Sequence, residues 1–172
     1  MKKYKDKKQY RRKGYDYSQD GFYFVTICVK NREMFFGDVV ESKIILSKIG
    51  LIADDFFRDI PNRFSVVKID EYIIMPNHIH GIIVINNCRN APGRVPTGIQ
   101  PLVKNSLSSV INHFKGNVKK ICNKNKIGFE WQSRFHDRII RNSDELNRIR
   151  QYIINNPVKW DSDRNNLENL WI

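Results

Sequence analysis

Val66-Val67-Lys68-Ile69-Asp70-Glu71-Tyr72-Ile73-Ile74-Met75-Pro76-Asn77-His78-Ile79-His80-Gly81-Ile82-Ile83-Val84-Ile85 is the stretch that decides the fold. Val66 to Met75 is rich in β-branched residues and reads as a long strand, and His78 to Ile85 reads as another. Pro76-Asn77 between them is turn chemistry, so the two strands lie side by side and antiparallel. Side chains alternate along a strand, which puts His78 and His80 on one face and Ile79 on the other. Two imidazoles about 7 Å apart along a strand can converge on one divalent ion. The same spacing also suits a half-buried strand that packs its histidines, so the pair needs support from the rest of the chain.

Upstream, Gly21 to Lys30 is a first strand, and Asn31 to Gly37 a turn leading to a short strand over Val39 to Leu46. Ser47 caps a helix whose apolar residues Ile49, Ile52, Phe56, Phe57 and Ile60 recur at helical spacing until Pro61 stops it. Downstream, Asn86 to Pro101 holds three of the six prolines and reads as a loop. Ser106 to about Asn123 is an amphipathic helix through Leu107, Val110, Ile111, Phe114, Val118 and Ile121. Phe135 to Ile140 is a short strand. Asn142 and Glu145 have the spacing of a capping box, and Leu146, Ile149 and Ile153 stripe a final helix that Pro157 ends. This order predicts an α+β fold, an antiparallel sheet with helices packed on it, ferredoxin-like in class. With 172 residues the chain divides into a basic N-terminal arm, 1–20, and a single domain, 21–172.

Thirty Lys and Arg against 18 Asp and Glu give a net charge of +12, which favours a polyanionic partner, nucleic acid before membrane. The charge is concentrated. Eight basic residues against Asp6 alone put +7 into the first 13 residues, and Leu102 to Ile127 carries Lys104, Lys115, Lys119, Lys120, Lys124 and Lys126 with no acidic residue. Cys28, Cys88 and Cys122 are few, odd in number and far apart, which points away from a disulfide framework or a cysteine zinc site and fits a reducing cytoplasm. The apolar run Phe22 to Val29 is too short for a signal sequence and lacks a small-residue cleavage site. No run approaches the roughly 18 apolar residues of a membrane span, so no membrane partner is expected.

Tyr152 and Asn156 lie four residues apart, on one face of the last helix. Read singly, a tyrosine suits a core margin and an Asn before proline suits a helix end. Read together with the histidine strand and the basic surface, they supply what nucleophilic cleavage of a phosphodiester needs. His78, His80 and the Asn156 oxygen would hold an ion beside the phosphate, and Tyr152 would attack. A phenol of pKa near ~10 needs a cation or base to react at neutral pH, and the ion or Lys159 could serve.

Three motifs in order carry a resemblance: Met75-Pro76-Asn77-His78-Ile79-His80, then Trp131-Gln132-Ser133-Arg134-Phe135-His136-Asp137 with Arg141, then Tyr152-Ile153-Ile154-Asn155-Asn156-Pro157. Together with Phe24-Val25-Thr26 they resemble the single-tyrosine HUH transposases, closest to the branch associated with repetitive extragenic palindromes, over most of Gly21 to Trp160. The resemblance implies an HUH endonuclease fold in which His78, His80 and Asn156 bind Mg²⁺ or Mn²⁺. It implies that Tyr152 forms a 5′-phosphotyrosine link to single-stranded DNA beside a hairpin and releases a 3′-hydroxyl. Such a protein works as a monomer or homodimer in the cytoplasm, at the nucleoid. Asn156 stands where insertion-sequence relatives commonly carry the longer Gln. The basic residues offered for DNA contact are Lys104, Lys115, Lys119, Lys120, Arg134, Arg138 and Arg141.

Two other classes stay open on sequence. Gly21-Phe22-Tyr23-Phe24-Val25-Thr26-Ile27 partly matches an RNA-recognition signature, with Phe22 and Phe24 as stacking platforms on one strand face. That reading makes the chain a non-catalytic RNA- or single-strand-binding module. A histidine metallohydrolase acting through a metal-bound water is the third, though the acidic residues such sites usually add are missing near His78.

Overall fold

The structure, a computed structural model, describes residues 14–87 and 105–162. In chain order its elements are β1 (Gly21–Cys28), β2 (Gly37–Val40), β3 (Lys43–Leu46), α1 (Lys48–Arg58), α2 (Ile60–Arg63), β4 (Val67–Met75), β5 (His78–Ile85), α3 (Leu107–Lys124), β6 (His136–Ile140) and α4 (Ser143–Ile154). The β4–β5 hairpin closes on the Pro76-Asn77 link with Met75 opposite His78. β5 then pairs with β1, and β1 with β6, giving the order β4-β5-β1-β6 with every neighbour antiparallel. Because β5 sits between β1 and β4, the chain must cross one face of the sheet to travel between them, and α1 makes that crossing. α3 makes the second, from β5 to β6. The result is the ferredoxin-like α+β sheet the pattern predicts.

The two faces of the sheet bury different things. On one, Tyr23, Val25 and Ile27 of β1 and Ile79 and Ile83 of β5 meet Ala53 and Phe57 of α1 and Val110, Phe114 and Val118 of α3, all buried. Gly81 belongs to this side. A Cβ there would come within 2.7 Å of the Phe57 ring, so the close approach of α1 needs glycine. On the other face a smaller apolar cluster of Ile82, Ile140 and Ile153, bordered by Phe22, Phe24, Ile73, Leu146 and Ile149, seats α4. Arg150 also fastens α4 to β4, its Nε donating to Asp70 Oδ1 (2.7 Å) and its Nη2 to Asp70 Oδ2 (2.6 Å).

Three local expectations are corrected. The segment to Leu46 is a hairpin of two strands, not one, because Glu41 and Ser42 take left-handed backbone (φ 49° and 60°) and turn the chain without a glycine. Pro61 does not end the helical region. Asp59 closes α1, and Pro61 lies in the first turn of α2, where its missing N–H costs nothing. Asn142 caps α4 through the Glu145 amide (2.8 Å), but the Glu145 carboxylate does not return to Asn142; it accepts from Arg138 Nε (2.6 Å) and the Arg141 amide (3.0 Å).

Tyr15 and Tyr17, counted in the basic arm from sequence, pack against core Tyr23, and the Leu107 amide donates to the Tyr17 carbonyl (3.0 Å). The rest of the arm before residue 14, Cys88, Lys104 and most of the proline-rich loop lie outside the described residues. Cys28 and Cys122 are buried and form no disulfide. Among the described residues no helix is long and apolar enough to cross a membrane.

Candidate active site

Strand register assembles the site. Cys28 is opposite His78 and Thr26 opposite His80, and the alternation that sends Ile79 into the main core turns both imidazoles toward α4. Their rings lie 4.4 Å apart. His80 Nδ1 is 2.9 Å from Thr26 Oγ1, and His80 Nε2 is 3.2 Å from the Tyr152 hydroxyl. Phe24 stacks on the His80 ring (5.2 Å) and meets Tyr152 edge-on (6.1 Å), so nucleophile candidate and histidine share one aromatic wall. His78 Nδ1 is 2.9 Å from Asn77 Oδ1, and the Trp160 ring lies 6.1 Å from the His78 ring.

Asn156 lies just past the end of α4, two residues beyond Ile154. Its amide closes the last turn onto the Ile153 carbonyl (3.1 Å), and a 3₁₀ turn follows over Pro157–Ser162. Its side-chain oxygen is buried with no hydrogen-bond partner, and so is His78 Nε2. An unsatisfied buried acceptor costs about 1–3 kcal/mol, so each asks for a function. Burial first, then electrostatic interaction with His80 and Arg32, holds the His78 pKa well below the ordinary histidine value, so the ring is neutral and keeps a lone pair. A neutral imidazole nitrogen and an amide oxygen with free lone pairs are cation donors. These donor types fit a divalent ion, and among the described residues no three His, Cys, Asp or Glu side chains converge on one point.

Tyr152 differs from the other described tyrosines. Its side chain is 41% exposed. Tyr23 donates to the Gln19 carbonyl and Tyr72 to Asp54, and burial raises both phenols above their ordinary pKa. Tyr17 is buried in the core. Phe22 and Phe24, the stacking platforms of the RNA-binding reading, face α4 and are packed against its cluster and His80.

The basic residues divide. Lys115 turns inward, donating to the Gln132 carbonyl (2.6 Å) and lying 5.7 Å from the Trp131 ring, and burial lowers its pKa to about 8. Lys119 donates to the Phe129 carbonyl. Of the three lysines that α3 offers for phosphate contact, Lys120 is the exposed one. Arg134 and Arg141 are exposed, and Arg138 is exposed but paired with Glu145.

Sequence reading missed Asn77 and Thr26, which orient the two histidines. Asn77 is adjacent to His78 and could have been found; Thr26 is 54 residues away and emerges only from the strand register. It also missed a groove along α4 lined by Asn147, Arg148, Gln151, Tyr152, Asn155 and Lys159. The signal was there in the helical spacing of 148, 152 and 155.

No family model matches the chain. An uncharacterized protein of Haemophilus influenzae is 35% identical over 161 residues, which span 90% of this chain and 89% of that one. The two belong to one family. Among solved structures, a REP-associated tyrosine transposase bound to a REP hairpin is similar with a TM-score of 0.60 and 21% identity, over 88% of this chain and 73% of that chain. The fold is therefore that of a REP-associated tyrosine transposase, as the resemblance in the motifs implies.

Proposed function

We propose that this protein is a DNA transposase that cleaves and rejoins hairpin-bearing single-stranded DNA, with Tyr152 as nucleophile and His78, His80 and Asn156 as ligands of Mg²⁺ or Mn²⁺. The observation that carries the reading is the Tyr152 hydroxyl 3.2 Å from His80 Nε2 within one chain. Tyr152 meets His80 without a second copy, which favours a monomer.

In the proposed step Tyr152 loses its phenolic proton to solvent, its oxygen attacks a backbone phosphorus, and the bond from phosphorus to the 3′ oxygen breaks. The 5′ phosphate stays esterified to Tyr152, and the departing 3′ oxygen takes up a proton to become a free hydroxyl. Arg148 and Lys159 line the same groove as Tyr152, and positive charge there would hold the scissile phosphate against the nucleophile. A bound divalent ion would polarise the phosphate and offset charge on its oxygens. Attack of another 3′-hydroxyl on the phosphotyrosine reverses the step, and because the ester conserves the phosphodiester bond energy, no nucleotide cofactor is required.

The hairpin in the similar structure supports hairpin DNA as the substrate class. Arg134, Arg138, Arg141, Lys120 and Lys104, with the basic arm, are the proposed backbone contacts, and a cytoplasmic, nucleoid-associated setting goes with that substrate. The test is incubation with hairpin-bearing single-stranded DNA and Mn²⁺, followed by a denaturing gel. Wild-type protein should form a covalent adduct, and Tyr152→Phe should form none while its stability stays within about 1 kcal/mol, since one hydroxyl and one hydrogen bond are lost. An adduct that persists in Tyr152→Phe breaks the assignment.

A further inference from the structure

The link between β4 and β5 is stitched to the loop that follows β1. The Val29 amide donates to the Asn77 carbonyl (2.9 Å), the Phe36 amide to the Pro76 carbonyl (2.9 Å), and Asn77 Nδ2 to the Arg32 carbonyl (3.0 Å). Asn77 is completely buried, at 0% exposure. The loop it grips carries two consecutive left-handed residues, Asn31 (φ 55°) and Arg32 (φ 57°). Such backbone costs on the order of 1 kcal/mol per residue and persists where surrounding contacts hold it.

These bonds determine where a proton sits. A carbonyl only accepts, so the side-chain nitrogen of Asn77 is the atom facing Arg32, and its oxygen is the atom facing His78 Nδ1, 2.9 Å away. An amide oxygen also only accepts. His78 Nδ1 must therefore carry the ring proton, which leaves the lone pair on Nε2, the nitrogen that is buried without a partner. Thr26 cannot do this for His80, because a hydroxyl both donates and accepts.

We infer that Asn77 is a positioning residue that fixes His78 as the Nδ1–H tautomer and aims its Nε2 lone pair into the site, so that it sets the affinity for a divalent cation. The cation half of this inference rests on the reading of His78 as a metal ligand. The tautomer half does not. Outer partners of this kind hold ring orientation and raise ligand basicity, and their loss weakens metal binding about 10- to 100-fold.

The experiment uses the full chain, wild type and two variants, with two readouts: imidazole ¹⁵N–¹H spectra of the metal-free protein and Mn²⁺ binding followed by electron paramagnetic resonance. Wild type should show His78 protonated at Nδ1. Asn77→Asp keeps an acceptor and should keep that tautomer and bind Mn²⁺ at least as tightly as wild type. Asn77→Leu should move the proton toward Nε2 and weaken Mn²⁺ binding about 10- to 100-fold, with His80 unchanged. If Asn77→Leu does not fold, wild type and Asn77→Asp still decide: a wild-type His78 protonated at Nε2, or an Asn77→Asp protein that loses the Nδ1–H form, overturns the inference. Unchanged Mn²⁺ affinity in a folded Asn77→Leu also overturns it. A wild type with the Nδ1–H tautomer that binds no Mn²⁺ instead overturns the metal reading of the site and leaves the tautomer assignment standing.

Discussion

The two faces of the central sheet are built from the same strands and finished differently. Toward α1 and α3, the large side chains of β1 and β5 are aliphatic or aromatic and closely packed, down to Gly81 making room for Phe57. Toward α4, the same strands carry a half-buried Thr26 and bury His78 and His80, and Asn156 past the end of α4 is buried too; His78 Nε2 and Asn156 Oδ1 find no partner. Packing alone would have placed aliphatic side chains on both. The difference teaches that the α1/α3 side is finished for packing, whereas the α4 side keeps polar groups that packing alone does not call for.

The largest effects should come from breaking the polar face. His78→Ala and His80→Ala should each abolish metal-dependent cleavage, since Mg²⁺ and Mn²⁺ bind imidazole weakly and a site left with one imidazole holds them too poorly. Asn156→Leu should cost less activity, because water can replace an amide oxygen, and should leave stability unchanged or raise it by about 1–3 kcal/mol by removing an unsatisfied acceptor. Calorimetry beside a cleavage assay in EDTA and in Mn²⁺ measures both; full activity in EDTA rules out the metal reading. The apolar face should behave in the opposite way. Gly81→Ala drives a methyl into Phe57 and should destabilise by about 1–3 kcal/mol, with cleavage retained well below the midpoint of unfolding. A Gly81→Ala protein of wild-type stability would show that the face is loosely packed.

The smallest effect separates inward from outward charge. Lys120→Gln should lower the slope of log K against log salt for single-stranded DNA by about 0.7, one phosphate contact, whereas Lys115→Gln should leave it unchanged because that ammonium already serves the Gln132 carbonyl. Equal losses in the two variants would mean that Lys115 leaves its pocket to meet DNA.

The β4–β5 hairpin was legible because alternation, turn chemistry and a proline all agreed within a score of residues. The β2–β3 turn was not, since Glu41-Ser42 adopts left-handed backbone that residues of this kind rarely advertise. Site legibility followed the same rule of distance. Histidine spacing along one strand and tyrosine-to-asparagine spacing along one helix are local facts. The turn of Lys115 toward a carbonyl 17 residues on, and the pairing of Thr26 with His80, depend on neighbours that only the completed fold supplies.

The Arg150–Asp70 fork ties the helix that bears Tyr152 to an edge strand, two residues from the hydroxyl itself. A planar, doubly hydrogen-bonded pair of this kind resists both sliding and rotation. If a cut 5′ end is held on Tyr152, the anchored helix keeps it over His80 while the freed 3′ end leaves and another arrives. In strand exchange on such a frame the protein is the fixed vice, and the nucleic acid is the part that travels.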